Sequence, residues 1–583
     1  MALSETFGSV RAKATFPASV RRHFAIKGTF AARGDEARLR LFLAIALFAA
    51  IFAIIGIRLV SIAVFGEPDI GNPYGSSGVS AARPDLVDRN GEVLATDVKT
   101  FSMFAEPKRV LDADEVMEGL VRVFPDLDTE KNRKRLASKR GFMWLKREIS
   151  QEQKLRIHRM GLPGIGFLNE NRRFYPGKET AGHILGLVNV DNEGIAGIEK
   201  YIDGQGLSDL QEAGLQMERN LEPVKLSTDL RVQHIVRNEL SQAMERYQAI
   251  AAIGIVLDVN TGEVIAMSSL PDYDPNIPTQ AQEKERLNRA TAGVFEMGSI
   301  FKTFTSAMAL DSGLVTMQDS FDVSKPLRVA GYTIKDFYGK RRPLSVPEVY
   351  IYSSNIGTAK MAMTVGIEGH KEFLTRMGLM DRLITELPES ASPQFPDKWS
   401  QLSQITISFG HGIAVSPMQT AVAASALVNG GRLIPPTFFP RTAAEADLLA
   451  KRVVSEETSD KMRYLMRLNV LKGSGRRAEV AGYRVGGKTG TAEKVINGKY
   501  VAHLRFNSFL AAFPMDDPKY LVLVVMDEPK PEKEGGGATA AVNAAPTVAA
   551  IVKRAAPLLG VMPRMESDAA LGIPQYDVPS PAQ

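Results

Sequence analysis

Ser299 and Lys302 stand at the start of an apolar stretch with helical periodicity, in which Phe301, Phe304 and Met308 recur on one face. If Ser299 opens a helix, Lys302 lies one turn further along the same face, and its amine comes within reach of the hydroxyl. A serine hydroxyl is a weak nucleophile until a base takes its proton, and a lysine can be that base when burial or a nearby cation lowers its pKa. Ser-x-x-Lys usually means a helix cap followed by a surface lysine, but here apolar residues surround it. Ser299 is therefore a candidate nucleophile, and Lys302 is its candidate base.

The tripeptide Ser353-Ser354-Asn355 lies between a helical segment, 347–352, and a second apolar segment with helical periodicity. This position predicts a polar turn between two helices. An ordinary helix N-cap is the simplest interpretation of such a turn. The functional alternative is that Ser353 relays a proton while the amide of Asn355 holds a lysine and a substrate carbonyl.

The third segment of interest is Lys488-Thr489-Gly490-Thr491. It supplies a cation from Lys488, hydroxyls from the two threonines, and a backbone N–H at Thr491 that could serve as a donor. If the segment is a strand edge, these groups line one wall of a cleft.

The same stretch also fits the phosphate-binding loop GxxxxGK[ST], over residues 482–489. That loop requires a helix that starts at its Lys-Thr pair. Here Gly490 follows at once, and strand-like residues then lead to an Asn497-Gly498 turn and a second strand-like stretch, 500–504. This pattern predicts a hairpin and not a helix, so we reject nucleotide binding.

The chain has 583 residues, 44% of them apolar and 23% charged, which is enough for about two to four domains. It contains no cysteine, which excludes disulfides, thiolate metal sites, iron–sulfur clusters and cysteine nucleophiles. The seven histidines form no HExxH motif, so a zinc hydrolase is not expected. The net charge of +5 is small for this length and is unevenly distributed.

The first 40 residues carry eight Lys and Arg against three acidic residues, and an apolar segment without polar side chains, 41–57, follows them. Continued past Arg58 to Phe65, this segment can span a hydrocarbon core of about 30 Å if the guanidinium reaches the interface or a partner helix. A cleaved signal peptide and a buried core helix are the alternatives. Positive charge on the N-terminal side places that side in the cytoplasm. We predict a cytoplasmic tail, 1–40, and a single transmembrane helix, 41–65.

Residues 66–224 are predicted to form an extended N-terminal module of mixed α and β structure. A hairpin over 83–95 turns at Asn90-Gly91, and a Lys/Arg-rich stretch, 129–160, has a helical pattern. No catalytic constellation occurs in this module. A pedestal, spacer or dimerisation role is therefore the better interpretation.

All three motifs fall in a predicted second domain, 225–565. Its pattern is a helix, a hairpin, a helical block and returning strands, over 229–248, 250–270, 299–440 and 481–527. Two strand clusters around a helical block predict an antiparallel sheet that is flanked by helices and assembled from both ends of the domain. The polar tail, 566–583, is predicted to be disordered.

A serine with a lysine one turn away, a Ser-x-Asn turn and a Lys-Thr-Gly strand, in this order, resemble the active-serine penicillin-recognising proteins. The wider chain is similar to the class B penicillin-binding proteins, and within them to the septal type. The choice of the septal type rests mainly on residues 488–495 and on the strand-like residues after them. Met297, where proline is common, and Ile300, where a small polar residue is common, depart from the family pattern. Flanking segments that look like the family are 85–91, 173–183, 288–299, 410–419, 506–518 and 527–529.

The resemblance implies an α/β multi-domain fold in which the serine transpeptidase domain combines the antiparallel sheet with an all-helical subdomain. It implies a D,D-transpeptidase whose Ser299 attacks the carbonyl of a D-Ala-D-Ala stem peptide, with neutral Lys302 as base. Ser353 would pass the proton to the departing D-alanine, and Asn355 would orient Lys302 and the substrate amide.

On the facing strand, the resemblance implies that Lys488 and Thr489 bind the terminal carboxylate and that Gly490 and Thr491 complete the substrate-binding edge. Lys488 would also help to keep Lys302 deprotonated. The backbone N–H groups of Ser299 and Thr491 would form the oxyanion hole. No metal or organic cofactor is implied, and β-lactams are expected to acylate Ser299.

The implied partners are peptidoglycan stem peptides and their lipid-linked precursor, β-lactams, a membrane-embedded glycosyltransferase and other divisome membrane proteins. Nucleic acid is not among them, because membrane orientation explains the basic tail. The implied location is the inner membrane, with the catalytic domain in the periplasm.

Four alternatives remain open at this point. They are an elongation-type transpeptidase, a β-lactam-binding division scaffold with secondary catalysis, a β-lactamase and a β-lactam receptor. For a β-lactamase, no group that activates water can be named. For a receptor, the tail 1–40 is too short to hold an output module.

Overall fold

The structure is a computed structural model that describes residues 42–57, 83–204, 222–496 and 499–568. The chain divides into two units, Met1–Ser77 and Gly78–Gln583. In the first unit, residues 42–57 form a helix. Within the described ranges, no helix is both long enough and apolar enough to cross a membrane. The predicted span, 41–65, lies partly outside the described residues and the predicted tail, 1–40, wholly outside, so both stay predictions.

The N-terminal module of the second unit is built on a five-stranded sheet. Its strands are Leu86–Val87, Val93–Ala105, Met143–Ile149, Ile165–Phe174 and Val224–Lys225. The first two are antiparallel, and Gly91, at φ +93°, lies in the tight turn between them, so the predicted hairpin is confirmed. Among the described residues of the module there are also a small hairpin and five α-helices: Leu187–Val188 with Gly194–Ala196, then Ala113–Val121, Glu130–Leu136, Gln151–His158, Gly182–Leu185 and Gly197–Ile202.

The prediction of a helical segment over 129–160 is wrong for the middle of that segment. The structure has two short helices there, Glu130–Leu136 and Gln151–His158, separated by the strand Met143–Ile149. Both end residues of this strand are buried in the core of the module, and the strand pairs with Val93–Ala105. Cross-strand packing decides the conformation of this segment, because strand formation depends more on neighbouring strands than on local preference.

A buried ion-pair network joins Arg83, at the start of the described part of the N-terminal module, to the rest of that module. Glu199 accepts hydrogen bonds from Arg83 Nε at 2.9 Å and from Arg173 Nε at 2.6 Å, and all three side chains are at most 1% exposed. Arg173 also pairs with Asp97 at 3.1 Å. Arg83 also pairs with Asp203 at 2.6 Å, and Glu199 is the anion that the two buried guanidinium groups share.

Replacing Glu199 by glutamine is expected to destabilise the module by about 3–5 kcal/mol, because it leaves buried cations without their shared anion. The readout is the first transition in urea unfolding of the full chain. The exposed pair Glu130–Lys134 supplies a control, since Glu130→Gln should change stability by less than about 0.5 kcal/mol. Equal effects of the two substitutions would contradict the assignment of Glu199 as the centre of the network.

The second domain is built on a five-stranded sheet in which every neighbouring pair of strands is antiparallel. In spatial order its strands are Gly486–Ile496, Lys499–Phe513, Tyr520–Asp527, Ala251–Asp258 and Val264–Leu270. Three strands from the end of the domain thus join two from its beginning, and the predicted sheet is confirmed. We call Gly486–Ile496, which lies at one edge, the lysine strand.

Alternating side chains of this sheet enter two separate cores. Leu521 and Leu523 lie in the core that also contains residues of the helix Phe301–Asp311, which we call the nucleophile helix because it follows the candidate nucleophile Ser299. Val522 and Val524 lie in the core that contains the helices on the opposite face. This alternation is the two-residue period of a strand that is buried on both faces. The helices of the opposite face are Leu230–Tyr247 and Ala544–Ala555.

The segment predicted as helical, 299–440, contains helices and also four short strands within 320–345. The strands include Leu327–Val329 and Tyr332–Ile334, joined by Ala330 and Gly331, both at positive φ. Two such residues in succession form a turn that suits a hairpin, which is why the chain does not continue as a helix here. The other two strands are Ser320–Asp322 and Pro343–Ser345, and the helices after them are Val346–Ile351, Asn355–Val365, Ile367–Arg376, Gln401–Ser408 and Pro417–Ser425.

The C-terminal part of the domain adds the helices Ala443–Leu449 and Glu456–Lys472 and a two-stranded pair, Arg432–Leu433 with Lys451–Arg452. Arg467 pairs with Asp568 at 2.8 Å. Residues 566–568, the first three of the predicted disordered tail, are therefore part of the described structure, and residues 569–583 lie outside it.

Candidate active site

Ser299 lies in a single 3-10 turn, Gly298–Ile300, which runs directly into the nucleophile helix. Gly298 has φ +55°, and a Cβ atom at this position would lie 3.0 Å from the carbonyl oxygen of Thr491. Glycine is required by both the backbone conformation and this close approach. The turn that carries Ser299 is thereby pressed against the lysine strand, while Ser299 itself remains partly exposed.

Lys302 is 1% exposed, and its amine reaches the second motif. Its Nζ lies 2.7 Å from Asn355 Oδ1, 2.5 Å from the carbonyl oxygen of Ser353 and 3.1 Å from Ser353 Oγ. The predicted reach of the lysine to the Ser-x-Asn turn is therefore present in the structure.

Ser353-Ser354-Asn355 forms the predicted turn between the helices Val346–Ile351 and Asn355–Val365. The two serines have different tasks. Ser354 caps the second helix, because its hydroxyl accepts from Gly357 N at 3.0 Å. Ser353 has φ +55°, an uncommon conformation for a serine. The N-cap interpretation thus holds for Ser354, while Ser353 is free to face the lysines.

Lys488 belongs to the lysine strand and is fully buried. Its Nζ donates to Ser353 Oγ at 3.1 Å and to the carbonyl oxygen of Thr489 at 3.3 Å. The hydroxyl of Ser353 is therefore bonded by two lysines that come from segments far apart in the chain. Lys488 lies in a strand and not at the start of a helix, so the segment is not a phosphate-binding loop, as predicted.

Burial and mutual repulsion set the charges of the two lysines. Burial, and then the neighbouring charge of Lys488, hold the pKa of Lys302 well below its ordinary value. Burial alone lowers the pKa of Lys488 to about 7. Both Nζ atoms lie 3.1 Å from Ser353 Oγ, so they are at most twice that distance apart, and two unit charges at such a separation repel by about 3 kcal/mol or more at an effective dielectric constant of about 20. The arrangement therefore favours one neutral amine and one cation, which is what a base beside an anion site requires.

The remaining residues of the third motif shape the edge of the lysine strand. The hydroxyl of Thr489 lies 2.6 Å from Ser474 Oγ, and Thr491 Oγ1 accepts from Ala540 N at 3.3 Å. A Cβ atom on Gly490 would lie 2.5 Å from the carbonyl oxygen of Met297, so only glycine allows the turn Gly298–Ile300, which we call the nucleophile turn, to come so close. As an edge strand, this segment leaves alternate backbone N–H groups outside the ladder of the sheet.

These observations bring Ser299, Lys302, Ser353, Asn355 and Lys488–Thr491 into one site. Within the described ranges, no three His, Asp or Glu side chains come together in an arrangement that could hold a metal ion.

The sequence matches two protein-family models: the penicillin binding protein transpeptidase domain, over residues 252–550, and the penicillin-binding protein dimerisation domain, over residues 78–216. The first match covers more than half of the chain and includes all three motifs. The chain belongs to the penicillin-binding proteins. The resemblance drawn from the motifs is thus confirmed, and the dimerisation-domain match covers most of the N-terminal module of this penicillin-binding protein.

Named relatives cover nearly the same length. "Probable peptidoglycan D,D-transpeptidase FtsI" of Caulobacter vibrioides is 38% identical over 548 residues, 91% of this chain and 90% of the relative. "Peptidoglycan D,D-transpeptidase FtsI" of Escherichia coli K12 is 31% identical over 491 residues, 79% of this chain and 82% of the relative.

Two solved structures are similar to this penicillin-binding protein. Penicillin-binding protein 3 of Mycobacterium tuberculosis, complexed with aztreonam, superposes with a TM-score of 0.63 at 23% identity. The superposition covers 83% of this chain and 97% of the other, and it supports the fold. The apo transpeptidase domain of penicillin-binding protein 3 of Burkholderia pseudomallei has a TM-score of 0.53 at 34% identity and covers 58% of this chain and 98% of its own.

Three polar residues near the nucleophile turn of this penicillin-binding protein were not singled out from sequence. Glu296 accepts from Gly412 N at 2.8 Å and from the Tyr500 hydroxyl at 3.1 Å, and burial raises the pKa of its carboxyl. Burial, followed by the charge of Lys302, lowers the pKa of His411 to about 4, and its ring lies 5.4 Å from that of Tyr500. These contacts join three distant segments, and no local motif marks them.

Proposed function

We propose that this penicillin-binding protein is a peptidoglycan D,D-transpeptidase of the division septum, in which Ser299 is the nucleophile and Lys302 the base. The observation that carries the proposal is the hydroxyl of Ser353, which is hydrogen-bonded at 3.1 Å by both Lys302 and Lys488 beside the turn of Ser299. Relatives that bear the name peptidoglycan D,D-transpeptidase FtsI confirm the predicted reaction class and favour the septal type over the elongation type.

In the first step, Ser299 Oγ attacks the carbonyl carbon between the two D-alanines of a stem peptide, and its proton passes to the neutral amine of Lys302. The tetrahedral intermediate then collapses, the peptide bond breaks, and Ser353 relays the proton to the departing D-alanine. An ester between Ser299 and the remaining peptide is left. The low pKa of Lys302 supports this step, because a charged lysine could not accept the proton.

The lysine strand binds the substrate during this step. Lys488, as a cation, and Thr489 hold the terminal carboxylate of the stem peptide, which fits their place at the cleft edge. The backbone N–H groups of Ser299 and Thr491 stabilise the oxyanion of the tetrahedral intermediate. Gly490 allows the lysine strand and the turn of Ser299 to approach one another, as its close contact with Met297 indicates.

In the second step, the amine of another stem peptide attacks the ester, releases Ser299 and forms the cross-link. β-Lactams enter the same first step, because their strained amide resembles the scissile bond, and then remain bound as an ester. This penicillin sensitivity separates the proposed enzyme from a β-lactamase, which would need a group that activates water.

For the location, we propose an anchor in the inner membrane over 41–65, with the catalytic domain in the periplasm. The basic residues before the apolar segment support this orientation. The N-terminal module is then the part that divisome membrane proteins, including a glycosyltransferase, would contact. Lipid-linked peptidoglycan precursor and stem peptides are the proposed substrates.

Depletion of the protein in its host tests the septal role. We expect filamentous cells, because elongation continues while septal cross-linking stops. Expression of the wild-type chain should restore division, whereas the Ser299→Ala chain should not. Round cells would contradict the septal role, and division restored by Ser299→Ala would favour a scaffold over an enzyme.

Replacing Lys488 by arginine is expected to remove an alkaline limb from the pH profile of β-lactam acylation. Since burial lowers the pKa of Lys488 to about 7, the wild-type cation is lost above that pH and the second-order acylation rate constant should fall. Arginine keeps its charge throughout, so Lys488→Arg should keep its rate between about pH 7 and 9 while the acid limb remains.

Lys494→Arg is the matched control, because Lys494 lies on the same strand but pairs with Glu528 at 2.6 Å. This control should retain the alkaline limb. An alkaline limb that persists unchanged in Lys488→Arg would show that another group causes it.

A further inference from the structure

Asp336 lies in the loop between the strands Tyr332–Ile334 and Pro343–Ser345, and it is bonded once to the Ser353–Asn355 turn and once to the helix after it. Its Oδ2 accepts from Ser354 Oγ at 2.7 Å, and its Oδ1 accepts from Ile356 N at 3.0 Å. One carboxylate thus spans the turn from its middle residue to the first turn of the following helix. None of the three motifs includes this residue.

The preceding residue of the loop makes a third attachment. The carbonyl oxygen of Lys335 accepts from Asn355 Nδ2 at 3.0 Å, which leaves Oδ1 of the same amide directed at Lys302 Nζ, 2.7 Å away. Ser353, at the uncommon φ of +55°, directly precedes these three attachments. The loop therefore fixes Asn355, which accepts from Lys302, and it anchors Ser354, the neighbour of Ser353, which also accepts from Lys302.

Three other charged or titratable groups act around Lys302, each from a different element. Lys488 approaches from the lysine strand and favours the neutral amine, whereas Asp336 favours the charged amine. His411, from the segment after the helix Gln401–Ser408, has its own pKa lowered by burial and by Lys302. Burial and Lys488 together would make Lys302 a weak base, and the carboxylate of Asp336 opposes them.

We infer that Asp336 is a positioning residue for acylation: its anchored carboxylate holds Ser353 and Asn355 against Lys302 and supplies the negative charge that balances Lys488 there. The inference rests on the proposed function, in which the proton of Ser299 Oγ moves to Lys302 Nζ. A base is most effective when its pKa is close to the working pH. Asp336 sets this property without touching the substrate.

Two substitutions of Asp336 in the full-length protein separate its geometry from its charge. Asp336→Asn keeps a side chain of the same shape that can bond Ser354 and Ile356, but it removes the charge. The acid limb of β-lactam acylation should move about one pH unit lower, with a plateau rate within about threefold of wild type. Asp336→Ala removes both contacts, and its plateau rate should fall by about tenfold to a hundredfold.

The control is Asp319→Asn, because Asp319 is an exposed residue of the same domain that accepts from Thr316 N at 2.7 Å. Its profile should match wild type. An acid limb of Asp336→Asn that coincides with that of wild type would overturn the inference, whether or not Asp336→Ala folds. A wild-type plateau rate in a folded Asp336→Ala would overturn it as well. A wild-type chain that is not acylated at any pH would instead contradict the proposed function itself.

Discussion

The Ser299→Ala protein is expected to bind no fluorescent penicillin covalently, with a fall of at least about 10⁴-fold in acylation relative to wild type. The reason is chemical: Ser299 Oγ is the atom that forms the ester, and alanine has no hydroxyl to take its place before the N-terminus of the nucleophile helix. The fold should be unaffected, because Ser299 is partly exposed and Gly298 makes the close contact with Thr491. Gel fluorescence after a fixed labelling time measures the result.

Ser312→Ala serves as the matched control for this prediction. Ser312 ends the same helix and donates only to the carbonyl oxygen of Ala309, at 2.8 Å. Its labelling should equal that of wild type. Labelling that remains in Ser299→Ala would contradict the assignment of Ser299 as the nucleophile, and loss of labelling in both variants would indicate misfolding.

The Lys302→Met protein is expected to lose about 10²- to 10⁴-fold in acylation rate, the usual contribution of a general base. Methionine fills similar space but cannot accept the proton of Ser299. Stopped-flow acylation by a chromogenic β-lactam measures the rate. Lys360→Met is the control, because Lys360 lies in the helix Asn355–Val365 and donates to the carbonyl oxygen of Asp322. This variant should be acylated at the wild-type rate.

The stability of the same variant gives an independent check on the neutral amine. Because burial lowers the pKa of Lys302, the unfolded chain binds a proton that the folded chain lacks at any pH between the folded pKa and the unfolded value of about 10.4. Wild-type stability should therefore rise with pH in this window, by at most about 1.4 kcal/mol per pH unit from this group. Lys302→Met should lack this contribution to the pH dependence. A slope of stability against pH that is the same in Lys302→Met and in wild type would contradict a lowered pKa of Lys302.

Much of this architecture could be predicted because its signals are local. The helix Leu230–Tyr247 and the hairpin after it follow directly from apolar periodicity and a turn. The three motifs each predict a local element: a helix start at Ser299, a turn before Asn355 and a strand at Lys488. Their meeting at one hydroxyl was predictable only because the order of the motifs resembles a known family.

The rest depends on partners far away in the chain. Met143–Ile149 is a strand because Val93–Ala105 lies beside it, although its Lys and Arg residues favour a helix. Asp336 becomes important through contacts with Ser354 and Ile356, eighteen and twenty residues further on. Such contacts leave no periodic or compositional pattern in a single sequence.

The central claim is that the hydroxyl which forms the ester belongs to Ser299, although both lysines hydrogen-bond Ser353. The most direct test is to acylate the full-length protein with a β-lactam, digest it with trypsin and locate the added mass. The two serines fall in different peptides, 290–302 and 342–360, if cleavage follows every Lys and Arg that does not precede proline. We predict the adduct in 290–302, on Ser299. An adduct in 342–360, on Ser353, would contradict the account.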